Sequence, residues 1–131
     1  MPIAAQLNLE LENRVGILAR LCRDLADRGV NLLALSAAEI QGPGPVRLLV
    51  ANRELAERAL ATAGYRFKAE EVIFMEIKNR PGALAKAMEK LARVGINVRY
   101  AYATAYTQAK KTAAVIAVGE GDLPRALKLL G

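Results

Sequence analysis

The chain repeats one sequence pattern, and this repeat constrains the fold more than any other feature. When the segment from Glu10 to Asn31 is laid over the segment from Glu76 to Asn97, ten of the 22 positions are identical. Chance would give roughly one to three identities at this composition. The offset of 66 residues is too long for a solenoid unit and suits a small domain that is duplicated once. We therefore predict two copies of one fold, with domains at residues 1–69 and 70–131.

Within each copy the hydrophobic period changes in the same order, from a strand pattern to a helical stripe, then to further strand patterns and a second helix. The predicted elements of the first copy are a strand at 3–11, a helix with apolar positions Ile17, Leu18, Leu21, Cys22 and Leu25, strands at 30–40 and 46–51, a helix at 53–63 and a strand at 65–68. Those of the second copy are a strand at 72–77, a helix with apolar positions Ala83, Leu84, Ala87, Met88 and Leu91, strands at 96–107 and 112–118, and a helix at 122–130. Gly29 and Gly95 follow the first helix of each copy, where a left-handed helix cap favours glycine.

This order predicts an α+β fold of two ferredoxin-like βαββαβ repeats, with the helices on one face of an antiparallel sheet. The second repeat lacks its last strand, because the segment 125–131 aligns with the segment 58–64 and the sequence stops there. A sheet edge without a neighbour is normally covered or paired. We expect a partner or a second protomer to cover this edge, as in a homodimer or a higher homo-oligomer.

The composition removes most kinds of catalytic site. The chain has one cysteine and no histidine, which leaves neither an intramolecular disulfide nor an ordinary set of metal ligands. Without histidine, the commonest general base and the Ser-His and Cys-His pairs are also missing. We therefore predict a protein that is not an enzyme and that needs no cofactor or metal.

The net charge of +6 is compatible with nucleic-acid binding. The charges are dispersed, however, and no basic run exceeds the pair Lys110-Lys111. RNA-binding RRM domains share the βαββαβ order, but Phe74 is the one aromatic residue in the predicted first strands that could stack on a base. No apolar run reaches the ~18 residues of a membrane span, and the N-terminal residues do not resemble a signal peptide. We predict a cytoplasmic protein without nucleic-acid or membrane partners.

Two short loops carry a family resemblance. The sequence NRVGIL from Asn13 to Leu18 and the sequence NRPGAL from Asn79 to Leu84 each begin 18 residues before a second asparagine. Together with the repeated βαββαβ pattern, they resemble the ACT domain family over essentially the whole chain. The chain looks most like stand-alone tandem ACT proteins, and the loop is similar to that of the serine-sensing regulatory domain of phosphoglycerate dehydrogenases. The resemblance implies a regulatory protein that binds a free amino acid between neighbouring ACT domains, near these loops, and that acts on an enzyme of amino-acid metabolism.

The chemistry of an amino acid supports a site at these loops. Gly16 and Gly82 let a ligand approach the backbone, and the N-terminal amides of a helix attract a carboxylate. Asparagine amides can accept from an ammonium group and donate to a carboxylate. The predicted ligand-binding residues are Asn13, Arg14, Gly16, Ile17, Leu18, Asn31, Asn79, Arg80, Gly82, Ala83, Leu84 and Asn97. The alternative is structural, because asparagine and proline are common in helix caps and turns.

The two loops differ in sequence. The second loop, with Pro81, is closer to the family pattern than the first, which has Val15. The serine-binding relatives carry a histidine just before the asparagine motif, at the positions of Leu11 and Ile77. Apolar residues there favour a less polar effector than serine, such as a branched or aromatic amino acid.

Three further features have a structural interpretation. The tyrosines at positions 100, 102 and 106 alternate, so they are predicted to share one face of a strand, as in an interface or a packed sheet. Cys22 is predicted to be an inert core residue of the first helix. Glu70, Glu71 and Glu76 are predicted to lie in a solvated linker between the copies.

Three functions remain open from the sequence. The first is an amino-acid-binding regulatory protein. The second is a structural or oligomerisation ACT subunit without a ligand of its own, and the third is an RNA-binding ferredoxin-like module.

Overall fold

The computed structural model describes residues 3–131, which form strands and helices in the order expected for two repeats. The first copy contains β1 (Ile3–Leu11), α1 (Ile17–Ala26), β2 (Leu32–Ala37), β3 (Gly44–Val50) and α2 (Arg53–Thr62). The second contains β4 (Lys68–Lys78), α3 (Ala83–Arg93), β5 (Val98–Thr104), β6 (Lys111–Val118), a 3-10 turn (Glu120–Asp122) and α4 (Leu123–Leu130). This order confirms the predicted α+β class and its ferredoxin-like repeats.

The chain packs as two compact units, one of which is Ala5–Glu70, while the other contains Glu71–Gly131. The predicted division into domains 1–69 and 70–131 also implies that each part folds independently, and it stays a prediction.

In the first unit, β3 lies between β2 and β1 and pairs antiparallel with both. The alternation of strand residues turns one sheet face toward the two helices, because successive side chains point to opposite faces. The core between sheet and helices consists of Leu7, Leu9, Val46, Leu48 and Val50 from the strands, and Leu21, Leu25, Val30, Ala56, Ala59 and Leu60 from the helical side. Leu21 is fully buried there.

In the second unit, β6 lies between β4 and β5 and pairs antiparallel with both, with Ile73 of β4 opposite Ile116 of β6. The core has the same plan: strand residues of one sheet face meet α3 and α4. Its buried members are Ile73, Leu91, Ile96, Ala114, Ile116, Val118, Ala126 and Leu127.

Both copies use glycine where the backbone must become left-handed. Gly29 and Gly95, which follow α1 and α3, have φ angles of 77° and 73°. In the left-handed region a Cβ atom is disfavoured, so glycine is the usual residue. The predicted cap glycines are therefore confirmed.

The strand predicted at 65–68 is wrong in its extent. Residues 65–67 form no strand, and β4 begins at Lys68 and continues to Lys78 without interruption. The amide of Tyr65 donates to the carbonyl of Leu60, at 2.9 Å, and so closes the end of α2 instead of entering a sheet. The prediction of a linker around Glu70 is also wrong, since Glu70 lies within β4. Residues 68–78 contain neither glycine nor proline that would interrupt this strand. The carboxylate of Glu70 accepts a hydrogen bond of 3.2 Å from the Asn8 side chain.

Two further predictions on single residues are wrong. Cys22 is exposed rather than in the core, because the buried face of α1 is defined by Leu21 and Leu25 and each helical step turns the next residue by about 100°. Tyr106 is also exposed, since β5 ends at Thr104 and Tyr106 belongs to the following turn.

No helix within residues 3–131 is both long and apolar enough to cross a membrane.

Candidate functional site

The loop between β1 and α1 is closed by its own backbone. The amide of Arg14 donates to the carbonyl of Glu12 at 3.1 Å, and the amide of Ile17 donates to the carbonyl of Arg14 at 3.3 Å. Gly16 is the N-cap of α1 with φ 85°, in the left-handed region, and no side chain caps the helix. The first-turn amides of a helix have no partner within the helix. Since the amide of Ile17 already donates to Arg14, those of Leu18 and Ala19 can donate to a carboxylate.

A cavity of about 400 Å³ opens beside this loop, within the first unit. Its volume lies in the range of small-molecule sites, about 300–1,000 Å³. Five predicted ligand-binding residues line it, namely Asn13, Arg14, Gly16, Ile17 and Leu18. The remaining lining residues are Leu11, Glu12, Ala19, Ala37, Ala38, Glu39, Gly44 and Val46. We call this cavity the loop pocket.

The loop pocket carries both signs of charge. Arg14 lies 3.5 Å from Glu12, measured from Nε to Oε2, and both side chains are mainly exposed. Such a solvent-exposed pair contributes only about 0–1 kcal/mol, so either group can exchange its partner for a ligand at little cost. Glu39 adds a second carboxylate, while Asn13 forms no side-chain hydrogen bond with any other residue in the range 3–131.

The apolar wall of the loop pocket includes Leu11. Gly44, the register partner of Leu11, must stay a glycine, because a Cβ atom there would lie 2.5 Å from the carbonyl oxygen of Ala38. A side chain at position 44 would therefore force the turn after β2 to shift.

The matching loop of the second unit has the same backbone. The amide of Ala83 donates to the carbonyl of Arg80 at 3.3 Å, and Gly82 is the N-cap of α3 with φ 88°. Its asparagine differs from that of the first loop. The side-chain amide of Asn79 donates to the carbonyls of Tyr106, at 3.0 Å, and Ala109, at 2.8 Å, so both of its N–H groups hold the turn between β5 and β6.

A smaller cavity of about 200 Å³ lies beside α3 in the second unit. Arg80 and Ala83 line it, whereas Asn79, Gly82 and Leu84 do not. Asn31 and Asn97 line neither cavity. The structure thus gathers most of the predicted residues of the first repeat into one pocket and leaves those of the second apart, although the second loop sequence is closer to the family pattern.

Sequence reasoning did not single out the far side of the loop pocket. Residues 37–39 follow β2, and Gly44 begins β3, so both are distant in sequence from the asparagine motif. The GPGP turn at 42–45 was the one available signal, because two glycines there permit a close backbone approach.

In the first unit, residues 64–68 form a segment that we call the strap. Tyr65 and Phe67 pack against the core, and the hydroxyl of Tyr65 donates to Oδ2 of Asp24 on α1 at 2.8 Å. Burial raises the pKa of Tyr65, and the hydrogen bond to Asp24 raises it further. Together with Leu9, Leu11 and Arg47, the strap borders a wide cavity of about 860 Å³.

Comparison with known proteins gives a consistent result. The family model described as "ACT domain pair" matches residues 1–123. A crystal structure of protein BT0572 from Bacteroides thetaiotaomicron is similar over 98% of this chain and 87% of that one, with a TM-score of 0.88 and 29% identity. No curated protein matches the chain.

Two regulatory subunits of aspartate kinase share the fold at lower identity. The ligand-free subunit from Thermus thermophilus is similar over 96% of this chain and 89% of its own, with a TM-score of 0.66 and 18% identity. The subunit from Thermus flavus is similar over 99% of this chain and 95% of its own, with a TM-score of 0.65 and 18% identity.

Proposed function

The chain belongs to the ACT domain pair family, and on that premise we propose that it is a regulatory protein that binds a free amino acid in the loop pocket. The observation that carries the proposal is the mixed charge of that pocket beside an uncapped helix N-terminus. A free amino acid is a zwitterion, so its site must supply acceptors and donors close together.

The loop pocket supplies both kinds of group. Glu12 and Glu39 can accept hydrogen bonds from an ammonium group, while Arg14 can pair with a carboxylate through its guanidinium. The amides of Leu18 and Ala19 in the first turn of α1 add donors for the same carboxylate. Such a site binds the ammonium and carboxylate groups that every free amino acid has. The side chain of the ligand then contacts the apolar wall of the pocket.

That wall favours an apolar effector. Leu11, Ile17 and Val46 line the pocket and offer no hydrogen-bond partner to a serine hydroxyl. A buried hydroxyl without a partner costs roughly 1–3 kcal/mol, which would favour a branched or aromatic amino acid over serine.

The regulatory role extends to a partner. Two of the proteins that share the fold are described as regulatory subunits of aspartate kinase, and we propose by analogy that this chain acts on an enzyme of amino-acid metabolism. The ligand would act by binding one arrangement of the assembly more tightly than another. The predicted homo-oligomer belongs to this proposal.

A thermal-shift screen against the twenty amino acids tests the proposal. A ligand at a hundredfold its dissociation constant adds about 2.7 kcal/mol of stability, so we expect an upward shift in Tm with one apolar amino acid or a small group of them. The variants Arg14→Gln and Glu39→Gln should each abolish the shift. Arg58→Gln, an exposed change on α2 outside the loop pocket, is the matched control and should keep it.

Two outcomes would contradict the proposal. An amino-acid shift that survives in both pocket variants would place the ligand elsewhere. The absence of any shift at millimolar concentration, with the oligomer intact, would favour a structural subunit without a ligand of its own.

A further inference from the structure

The smaller cavity, in the second unit, differs in charge from the loop pocket. Its floor is apolar, with Met75, Ile77, Ala83, Ala87 and Leu130. Its rim is cationic, with Lys78, Arg80, Lys86 and Lys90, and no acidic residue of the described range 3–131 is among its lining residues. We call it the cationic groove. Four cations without a counter-charge around an apolar floor favour an occupant that is both acidic and apolar.

The first unit shows what covers the matching surface. By the alignment of the repeats, Leu9 and Leu11 correspond to Met75 and Ile77 of the cationic groove. In the first unit Tyr65 and Phe67 of the strap pack against the core beside these leucines, and Leu9 is only 3% exposed. Met75 is half-buried, so the second unit leaves this position more exposed than the first, while Leu11 and Ile77 are both half-buried.

The rim differs between the repeats at two positions by a reversal of charge. Glu12 of the first repeat corresponds to Lys78, and Asp24 corresponds to Lys90. Asp24 is the residue that accepts the hydrogen bond from Tyr65. The second unit thus has the hydrogen-bond donor Lys90 where the first has the acceptor Asp24. A segment that binds the second unit should therefore offer acceptors where the strap offers donors.

We propose that the cationic groove is a docking site for an extended acidic peptide segment of a partner protein, bound where the strap lies in the first unit. The strap supplies the pattern of the occupant, because it presents two aromatic side chains separated by one charged residue, in the order Tyr65, Arg66, Phe67. In the partner segment the intervening and following residues are acidic, where the strap has Arg66 and Lys68.

Competing occupants fit less well. Single-stranded nucleic acids are bound largely through aromatic side chains on which their bases stack, and none of the described residues that line the groove is aromatic. A small inorganic anion would satisfy the rim but would leave Met75, Ile77 and Leu130 uncovered. The inference is independent of the amino-acid site, since the loop pocket and the cationic groove share no residue.

The test uses two peptides and NMR spectra of the ¹⁵N-labelled full chain. The acidic probe is acetyl-Gly-Tyr-Glu-Phe-Glu-amide, and its twin is acetyl-Gly-Tyr-Lys-Phe-Lys-amide. We expect the acidic probe to shift the amide signals of β4 and α3 residues that line the groove, and to bind roughly tenfold or more tightly than its twin at low salt.

The decisive variant exchanges Lys78→Glu and Lys90→Asp together. These are the residues that the first repeat already carries at the matching positions, and both lysines are exposed, so the fold should tolerate the exchange. We expect the preference to shift toward the basic twin. Arg58→Glu, which lies on the exposed face of α2 and changes the net charge by half as much as the double exchange, is the control and should leave the preference unaltered.

Three results would overturn the inference. The acidic probe could fail to bind, its preference could survive the exchange of Lys78 and Lys90, or a short RNA could displace it from the same amides with higher affinity. The last result would identify a nucleic-acid surface.

Discussion

The hydroxyl of Tyr65 donates a hydrogen bond of 2.8 Å to Oδ2 of Asp24 and thereby ties the strap to α1. The two residues are 41 positions apart in sequence. The bond is half-buried beside the apolar residues of the first core, which Tyr65 contacts through its ring.

Loss of this hydrogen bond should destabilise the protein. We expect Tyr65→Phe to lower the free energy of unfolding by about 0.5–1.5 kcal/mol at pH 7, because the ring is kept and only the hydroxyl is removed. Chemical denaturation measures the change. Tyr106→Phe is the control, since Tyr106 is exposed and should change the stability by less than about 0.5 kcal/mol.

The same tyrosine should make stability depend on alkaline pH. Its pKa is raised in the folded state, first by burial and then by Asp24, so the folded protein favours the neutral phenol. The stabilisation is fully present below the unfolded-state pKa of about 10 and is lost as pH rises through the folded-state pKa. We expect the stability difference between wild type and Tyr65→Phe to shrink above about pH 10. A difference that is constant from pH 7 to 11 would contradict this assignment.

The glycines at the two helix starts should be costly to replace. Gly16 and Gly82 have φ angles of 85° and 88°, where a Cβ atom costs roughly 1–2 kcal/mol. We expect Gly16→Ala and Gly82→Ala each to lower the free energy of unfolding by about that amount. Gly121→Ala is the comparison, because Gly121 does not have a left-handed φ and a Cβ there meets no atom within 4 Å. Equal effects of all three variants would refute the argument from backbone geometry.

Replacement of the two loop asparagines, Asn13 and Asn79, should affect different properties of the protein, namely ligand affinity and stability. Asn79→Ala removes the donors to the carbonyls of Tyr106 and Ala109, so we expect a loss of about 1–3 kcal/mol. Asn13 has no such partners in the described chain, so Asn13→Ala should cost less than about 0.5 kcal/mol. Its effect should instead be seen in the affinity for the amino acid. Thermal denaturation with and without the ligand measures both quantities, and a large stability loss in Asn13→Ala would argue for a structural role.

Cys22 should react in the native state. It is exposed on α1, so Ellman's reagent should modify one thiol per chain without denaturant. Cys22→Ser should abolish the reaction and change the free energy of unfolding by less than about 0.5 kcal/mol. Modification that requires denaturant would show that the thiol is covered in solution, for example by a second protomer.

Most of the fold could be predicted because helix and strand periods differ. The predicted strand at 3–11 and the helix that starts near Ile17 coincide with β1 and α1. The prediction was wrong where local pattern and tertiary packing disagree. The sequence pattern of the strap is that of a strand. In the structure, however, the amide of Tyr65 donates to the last turn of α2, and the side chain of Tyr65 packs on the core. Cys22 reads as apolar, but it lies just outside the two positions that α1 buries.

Only the part of the candidate site that is formed by the loop between β1 and α1 could be predicted from the sequence. The asparagine motif is contiguous in sequence, so its repetition drew attention to Asn13 through Leu18. Glu39 and Gly44 reach the same pocket from a separate turn, and the register of β3 against β1, with Gly44 opposite Leu11, brings that turn there. Sequence periodicity does not specify which ends of strands meet.

The reversal from Asp24 to Lys90 also bears on how a duplicated chain avoids misassembly. Similar neighbours in one polypeptide can exchange segments while they fold. The strap carries Arg66 and Lys68, so a misplaced strap that reached the second copy would face Lys78, Lys86 and Lys90 and be repelled. The two positions that differ in sign, Glu12 and Asp24 against Lys78 and Lys90, thus favour the first copy over the second as the destination of the strap.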